Sequence, residues 1–366
     1  MASEQKINES LIGLSSGKSL SAQTQRKNLA KWLLICCSLV FVMITVGAIT
    51  RLTESGLSIV EWKPVIGAIP PLSESAWRTE FEAYKLSPEF MKKNFWMTVD
   101  DFKTIYFWEW FHRFLGRLIG LAYALPCLYF WSKKRIPQGY RIKLPALVLL
   151  VAVQGAMGWY MVKSGLVDQP AVSHYRLAAH LGLALLLYGL SLWYALDFWR
   201  TEKENAPRPN HTLSKFGWGT FALIATTILW GAFTAGLDAG LVYNDTFPKM
   251  GENWIPSELA NSKSLIFGVL ETHAGVQFLH RWLAMTTALT VILYASFAIQ
   301  AAKREELVFR FLIIMVVLQL GLGLTTLFTG VAIIPAVLHQ AGAVILLSLM
   351  LLSLHSLKPL AGQPHG

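Results

Sequence analysis

Gly47-Ala48-Ile49-Thr50-Arg51-Leu52-Thr53-Glu54-Ser55-Gly56-Leu57 closes the first long apolar run of the chain. Gly231-Ala232-Phe233-Thr234-Ala235-Gly236-Leu237-Asp238-Ala239-Gly240-Leu241 closes the fifth. The two stretches share glycine, leucine and acidic landmarks in one order, and further pairs follow them. Phe111-His112-Arg113 is answered by Leu279-His280-Arg281. Gln154 and Gly158 are answered by Gln319 and Gly323, and Pro170-Ala171-Val172 by Pro335-Ala336-Val337. Agreement of polar landmarks in order is not expected of unrelated apolar segments. The chain therefore reads as an internal duplication.

Each copy carries four segments long enough to cross a bilayer, which needs about 20 mostly apolar residues. The segments are 32–50, 110–132, 144–162 and 177–199, then 216–236, 279–302, 308–329 and 336–357. The 366 residues are 54% hydrophobic and only 15% charged, where a soluble domain carries roughly 25% charge. The composition excludes a disordered chain, a coiled coil and a disulfide scaffold. The fold class is an all-α integral membrane protein. Its eight transmembrane helices form two tandem four-helix bundles, related by pseudo-two-fold symmetry along the membrane normal.

The net charge of +10 lies in short blocks between spans, so it points to membrane orientation and not to nucleic acid. Lys27 and Lys31 precede the first span; Lys133, Lys134, Arg135, Arg141 and Lys143 follow the second. Arg200, Lys203, Arg208 and Lys215 follow the fourth, Lys303, Arg304 and Arg310 the sixth, and Lys358 the eighth. All fall on one side, which places both termini in the cytoplasm. The expected organisation is a tail over 1–31, a bundle over 32–200 with a long outer loop 51–109, a linker over 201–215, a bundle over 216–358, and a tail over 359–366. Within the outer loop, 73–86 reads as a short capped interfacial helix, and Thr98 with Asp101 as a capping box that starts a helix running into the second span. Cys36, Cys37 and Cys127 sit in apolar runs, so no structural disulfide is expected.

Four of the nine histidines lie inside spans near their outer ends: His112, His180, His280 and His339. The first basic residue at the inner end of the same span stands 21, 20, 23 and 19 residues away, respectively. At about 1.5 Å per residue all four lie roughly 29–35 Å from the inner boundary. Ionisable groups inside spans are costly and usually functional. Two histidines on facing helices of a bundle can clamp one heme as axial ligands, and the duplication then gives two hemes, one per half. Landmark alignment pairs His339 with His174, whereas depth pairs it with His180. Depth is preferred because a ligand must reach the bundle core, which leaves His174 at the loop or the heme edge. His273 lies two turns above His280; His211, His355 and His365 receive no role.

Glu109 stands three residues before His112, on one helix face with it. Gln277 occupies the equivalent place before His280. One half thus carries an acid beside its histidine and the other an amide. This asymmetry suggests chemistry in the first half and electron transfer in the second. A di-iron carboxylate bundle would need a second Glu-x-x-His and further glutamates. Arg113, Arg117, Arg176 and Arg281 suit heme propionates, with snorkelling to the interface as the plain alternative. Glu109 likewise has a plain reading, as an ion-pair partner of Arg113 or Lys103.

Several motifs together resemble the heme A synthase family. They are Gly47 to Leu57, Ser58-Ile59-Val60-Glu61-Trp62-Lys63-Pro64, Glu109-Trp110-Phe111-His112-Arg113-Phe114-Leu115-Gly116-Arg117, Tyr175-Arg176-Leu177-Ala178-Ala179-His180-Leu181-Gly182, and His280-Arg281-Trp282. The resemblance spans residues 30–357. The long first outer loop, and the lack of an outer-loop cysteine pair, resemble the proteobacterial and mitochondrial branch. His174 departs from it, since glutamine is more usual there. The resemblance implies oxidation of a heme O methyl group to a formyl group, giving heme A for terminal oxidase assembly. It implies heme B as cofactor at His280 and His339, substrate heme O at His112 and His180, and Glu109 as the essential acid. Heme O synthase, an electron donor such as a ferredoxin or other reductase, oxidase assembly factors and membrane lipid are the implied partners, and a homo-oligomer stays open. The location implied is the bacterial inner membrane, or the mitochondrial inner membrane if eukaryotic. Two rivals stand beside this reading. A di-heme b-type cytochrome oxidising quinol would leave the Glu109/Gln277 difference without a purpose. A transporter would place its polar groups near the midplane, which here is apolar.

Overall fold

The computed structural model describes residues 2–61, 66–166, 170–200, 211–301 and 306–358, and of residues 2–22 the backbone alone. The expected linker falls largely outside these residues, and the tail 359–366 entirely so. The helices are α1 (Ala2–Leu52), α2 (Glu74–Lys85), α3 (Val99–Ser132), α4 (Lys143–Lys163), α5 (His174–Trp199), α6 (His211–Gly236), α7 (Ser257–Ala260), α8 (Leu265–Glu271), α9 (His273–Ala301), α10 (Glu306–Phe328) and α11 (Ile333–Ser356). Among the described residues there is no sheet. Eight helices, α1, α3, α4, α5, α6, α9, α10 and α11, are long and apolar enough to cross a membrane.

Each half closes into a ring of four spans. In the first, α1 packs on α3, α3 on α4, α4 on α5, and α5 back on α1. In the second, α6, α9, α10 and α11 repeat that order. This equivalence is consistent with the two-fold relation expected from the duplication. The rings meet through α1 and α5 on one side and α6 and α11 on the other. Gln340 donates to the Ile44 carbonyl at 2.9 Å, and Tyr188 and Ser348 share a 2.8 Å hydrogen bond. At the inner ends Asp197 accepts from Tyr140 (2.7 Å), His355 (2.9 Å) and Lys358 (2.7 Å). At the outer ends Arg51 pairs with Asp238 at 2.6 Å. His355 is therefore part of a lock between halves, a role the spacing of residues does not reveal.

Local sequence explains where the outer helices begin. The backbone N–H of Ala76 donates to Ser73 Oγ at 3.2 Å, capping α2 as expected. The Thr98–Asp101 capping box is present: Thr98 N–H donates to Asp101 at 2.9 Å, and Asp101 N–H to Thr98 Oγ1 at 3.4 Å. Each such cap contributes about 1 kcal/mol. This box starts α3 eleven residues ahead of the apolar span, so the helix carries Glu109 and His112 on one rigid rod. The outer loop then packs on that rod. Ile59, Phe81, Tyr84, Phe102, Ile105 and Tyr106 form a small core of their own, which fixes the backbone around residues 58–61 against α3.

Candidate active site

The four span histidines sit in two pairs. His112 on α3 lies within electrostatic range of His180 on α5, and His280 on α9 within range of His339 on α11. All four are half-buried. Each ring is seated on a glycine of a neighbouring helix. A Cβ at Gly47 would stand 3.2 Å from the His112 ring, and one at Gly158 would stand 3.0 Å from the His180 ring. In the second half the same device uses Gly231 against His280 at 3.2 Å and Gly323 against His339 at 2.9 Å. Four glycines at matched positions clear four imidazoles. Those glycines belong to the repeat landmarks, but their purpose lies in a contact between helices and is not legible along one.

A glutamine attends the second histidine of each pair. Gln154 on α4 donates to the His180 carbonyl at 3.0 Å and stands 3.2 Å from its Nδ1. Gln319 on α10 donates to the His339 carbonyl at 2.8 Å and stands 3.1 Å from its Nδ1. The Oε1 atoms of both glutamines are buried without a hydrogen-bond partner, as are His112 Nδ1 and Trp230 Nε1. Paired imidazoles, glycine seats and orphaned polar atoms fit an axially held heme in each half. Among the described residues no group of three or more His, Cys, Asp or Glu could cage a metal. A heme iron needs only two ligands from the protein.

Glu109 is buried on α3 and is gripped from three directions. Ser58 Oγ donates to Oε2 at 2.8 Å, the Ile59 N–H donates to Oε2 at 2.7 Å, and Arg113 donates to Oε1 at 2.6 Å. Of the two ion-pair partners open in the sequence, Arg113 is the one that forms. Lys103 instead pairs with Glu74 at 3.0 Å and Asp100 at 3.1 Å. Ser58 and the Ile59 amide come from the outer loop, so their role depends on how that loop folds and is not visible in spacing.

A second buried carboxylate, Glu89, stands near Glu109 in the outer loop. Tyr84 donates to it at 3.0 Å, and Asn94 donates to the Tyr84 hydroxyl at 2.8 Å. Burial, and then the neighbouring carboxylates Glu109 and Glu54, push Glu89 up to about 7 against the relief from Tyr84 and Lys93.

Gln277 repeats the Glu109 position. Arg281, buried, donates to Gln277 Oε1 at 3.1 Å, as Arg113 does to Glu109. Arg113 also donates to the Ile59 carbonyl at 3.0 Å, and Arg281 to the Tyr243 carbonyl at 2.5 Å. Ile59 and Tyr243 are matched positions of the repeat. Arg281 further donates to the Thr246 and Lys249 carbonyls, each at 2.7 Å, so its guanidinium is largely committed to the second outer loop. Arg176 donates to the Tyr160 carbonyl at 2.8 Å and lies over the Tyr160 ring. Arg117 lies one turn below Arg113 on α3. His174 is turned to the seam between halves, packed on Phe233 of α6, with its Nε2 3.8 Å from Glu271. His273 is exposed at the start of α9.

The chain is similar to known proteins over nearly its whole length. A family model described as cytochrome oxidase assembly protein matches residues 30–351. Heme A synthase of Rhodospirillum centenum is 46% identical over 336 residues, covering 91% of this chain and 89% of that protein. Heme A synthase of Nitrosospira multiformis is 45% identical, covering 91% and 94%. Heme A synthase COX15 of Bos taurus is 44% identical over 349 residues, covering 93% and 84%. Matched across nearly its whole length, this eight-span chain belongs to the COX15-CtaA family of cytochrome oxidase assembly proteins.

Proposed function

We propose that this protein is a heme A synthase, a membrane oxidoreductase that converts a methyl group of heme O to the formyl group of heme A. The names of its relatives support this, as does one feature of the site: a carboxylate present in one half of a duplicated structure and replaced by an amide in the other. On this reading the first half receives heme O between His112 and His180, the bundle that carries Glu109. The second half holds heme B between His280 and His339. Heme B, when bound, supplies one-electron transfer at the end of the molecule where the substrate is oxidised.

The residues of the first half divide the work. His112 and His180 hold the substrate iron, and the glycine seats set the planes of their rings. Arg113, Arg117 and Arg176 stand at the outer end, where propionates would lie. Glu109 stands about one turn above His112 and is pinned by three donors. A carboxylate held so tightly is suited to fixed electrostatic work. It either orders water at the heme edge or stabilises positive charge that develops at the methyl carbon. The substrate comes from heme O synthase, electrons come from a donor such as a ferredoxin or other reductase, and the product goes to terminal oxidase assembly. The basic loops support a bacterial inner-membrane orientation with both termini in the cytoplasm and the heme sites at the outer side; a eukaryotic source would make it the mitochondrial inner membrane. On this reading 32–200 serves the substrate and 216–358 the cofactor.

The test is extraction of non-covalent hemes from the purified protein, identified by chromatography and mass. Heme B together with heme O, a hydroxylated form or heme A is the expected result. Heme B alone at two per chain, in cells supplied with heme O, would make the protein a di-heme cytochrome.

A further inference from the structure

The duplication that singles out Glu109 singles out a second difference, one of size. On α4, Gln154 and Gly158 both meet His180, and Gly155 lies between them in sequence. On α10, Gln319 and Gly323 both meet His339, and the residue at the matched place is Leu320. A side chain added at Gly155 would enter open space, with no neighbouring atom within 4 Å of its Cβ. Leu320 instead packs on the buried core. The adjoining helix repeats the contrast. Gly120 of α3, eight residues inward of His112, also has no neighbouring atom within 4 Å of an added Cβ. Its counterpart on α9, Ala288, is buried in the core. α3 packs on α4 as α9 packs on α10, so both open positions belong to one pair of neighbouring helices, and both filled positions to the matched pair. Gly155 lies about 4.5 Å inward of Gly158 along α4, directly after Gln154, whose buried Oε1 has no partner. The opening is therefore continuous with the histidine site and runs into the apolar layer.

Heme O carries a long isoprenoid tail at the edge of the macrocycle, where heme B has a vinyl group. Two axial histidines grip the iron and do not distinguish the two. Discrimination belongs at the edge, and it needs obstruction of the wrong ligand as well as room for the right one. We infer that Gly155, with Gly120, opens the first half to the isoprenoid tail of heme O, and that Leu320, with Ala288, closes the second half to any heme that carries one. These are specificity-determining residues. The inference rests on the bis-histidine reading and on heme O as the substrate.

The experiment adds heme O or heme B to the purified full-length chain and counts each heme bound, by extraction, chromatography and mass. It compares wild type, Gly155→Leu and Leu320→Gly, with His112→Ala to identify the share held by the first half. Gly155→Leu should bind heme O about tenfold more weakly or worse, as expected when a side chain is forced into occupied space. It should still bind heme B in the first half with a low-spin spectrum, a selective loss that a merely disturbed fold would not give. Leu320→Gly should admit heme O to the second half in competition with heme B. If Gly155→Leu binds heme O as the wild type does, or loses both hemes equally from the first half alone, the inference is wrong. If Gly155→Leu is emptied of all heme, Leu320→Gly decides alone: entry of heme O sustains the inference and continued exclusion ends it. Failure of the underlying reading looks different, because the wild type would then take up no heme O, or His112→Ala would leave its uptake unchanged.

Discussion

The two halves of this molecule build one site twice and then reverse its polarity at a single point. In the first half the outer loop turns an N–H and a hydroxyl toward α3, from Ile59 and Ser58, and both donate to Glu109. In the second half the matched loop position turns a carbonyl inward, and Gln277 donates to Val242 O at 2.5 Å. The arginine that follows makes the same pair of contacts in both. Glu54 and its counterpart Asp238 both adopt left-handed backbone, at φ 50° and φ 51°, so the two loops leave their spans alike. They diverge at Tyr243, which is also left-handed (φ 50°), while Ile59 is not. A bulky residue in that region costs roughly 1–2 kcal/mol. The second loop carries that cost where its backbone presents an acceptor. A loop that offers donors matches a carboxylate, and a loop that offers an acceptor matches an amide. The chemical difference between the halves is thus built into the backbone and not only into one side chain.

The strongest way to break the comparison is to make the halves alike. Glu109→Gln gives the first half the amide of the second. Both hemes should stay bound with unchanged spectra, while heme A formation falls by about 10²–10³, the range for losing one preorganised electrostatic group. Full activity in the variant would leave the asymmetry without a function. The reverse change, Gln277→Glu, sets a carboxylate against the Val242 carbonyl. It should destabilise the second bundle by about 1–3 kcal/mol, read as a lower melting temperature of the purified protein, with no new activity.

The glycine seats sharpen what is common to both halves. Gly323→Ala and Gly158→Ala bring a methyl group to 2.9 and 3.0 Å from their rings, tighter than at Gly47 and Gly231, both 3.2 Å. Each substitution should weaken heme retention about tenfold or more, and only in its own half. Heme content per chain, resolved by heme type, reads this directly. Equal loss of both hemes from either variant would mean that the halves do not hold their groups independently. Ser58→Ala is milder. It removes one of three donors to Glu109 and leaves the Ile59 amide and Arg113 in place. Turnover should drop about tenfold, equivalent to roughly 1.4 kcal/mol, just under the range of about 1.5–3 kcal/mol for a hydrogen bond to a charged group. Unchanged turnover would show that two donors suffice.

Much of this was legible in the chain itself. Hydropathy marks all eight spans, because a span must be apolar wherever it meets lipid, and the structure places a helix over each. The depth of the four histidines sets them at one level, because rise along a helix is fixed by its hydrogen bonds, and the duplication divides them into two pairs. The Glu109/Gln277 difference stands out because the repeat supplies an internal control. What the sequence withheld depends on contacts between segments. Asp197 and His355 are far apart along the chain, and only the packing of α5 on α11 joins them. Gly158 and Gly323 look like small residues that ease helix packing until the ring each one clears is seen. Glu89 lies in a loop whose aromatic core, built on Phe81, Tyr84 and Phe102, has no clear period.

That buried loop carboxylate supplies the finest test of the comparison, because it exists in the first half alone among the described residues. Tyr84 donates to Glu89, while Glu109, Glu54 and Lys93 are the charged groups acting on it, and burial is the dominant influence that lifts it to about 7 from an ordinary value of 4.5. The folded protein therefore holds this proton more tightly than the unfolded chain does. A raised carboxyl value means that the stability is fully present below 4.5, is lost as the pH climbs toward about 7, and stays level above that. The outer loop, which carries Ser58 and Ile59 to Glu109, should loosen across that window. Amide hydrogen exchange over residues 73–97, corrected for the intrinsic rate, should speed up between pH 5 and pH 7, while exchange in the second outer loop stays level. Glu89→Gln removes the ionisation and should flatten the first profile onto the second. If the wild-type profile is already flat, Glu89 is not titrating in this range, and the grip of the loop on Glu109 does not depend on its proton.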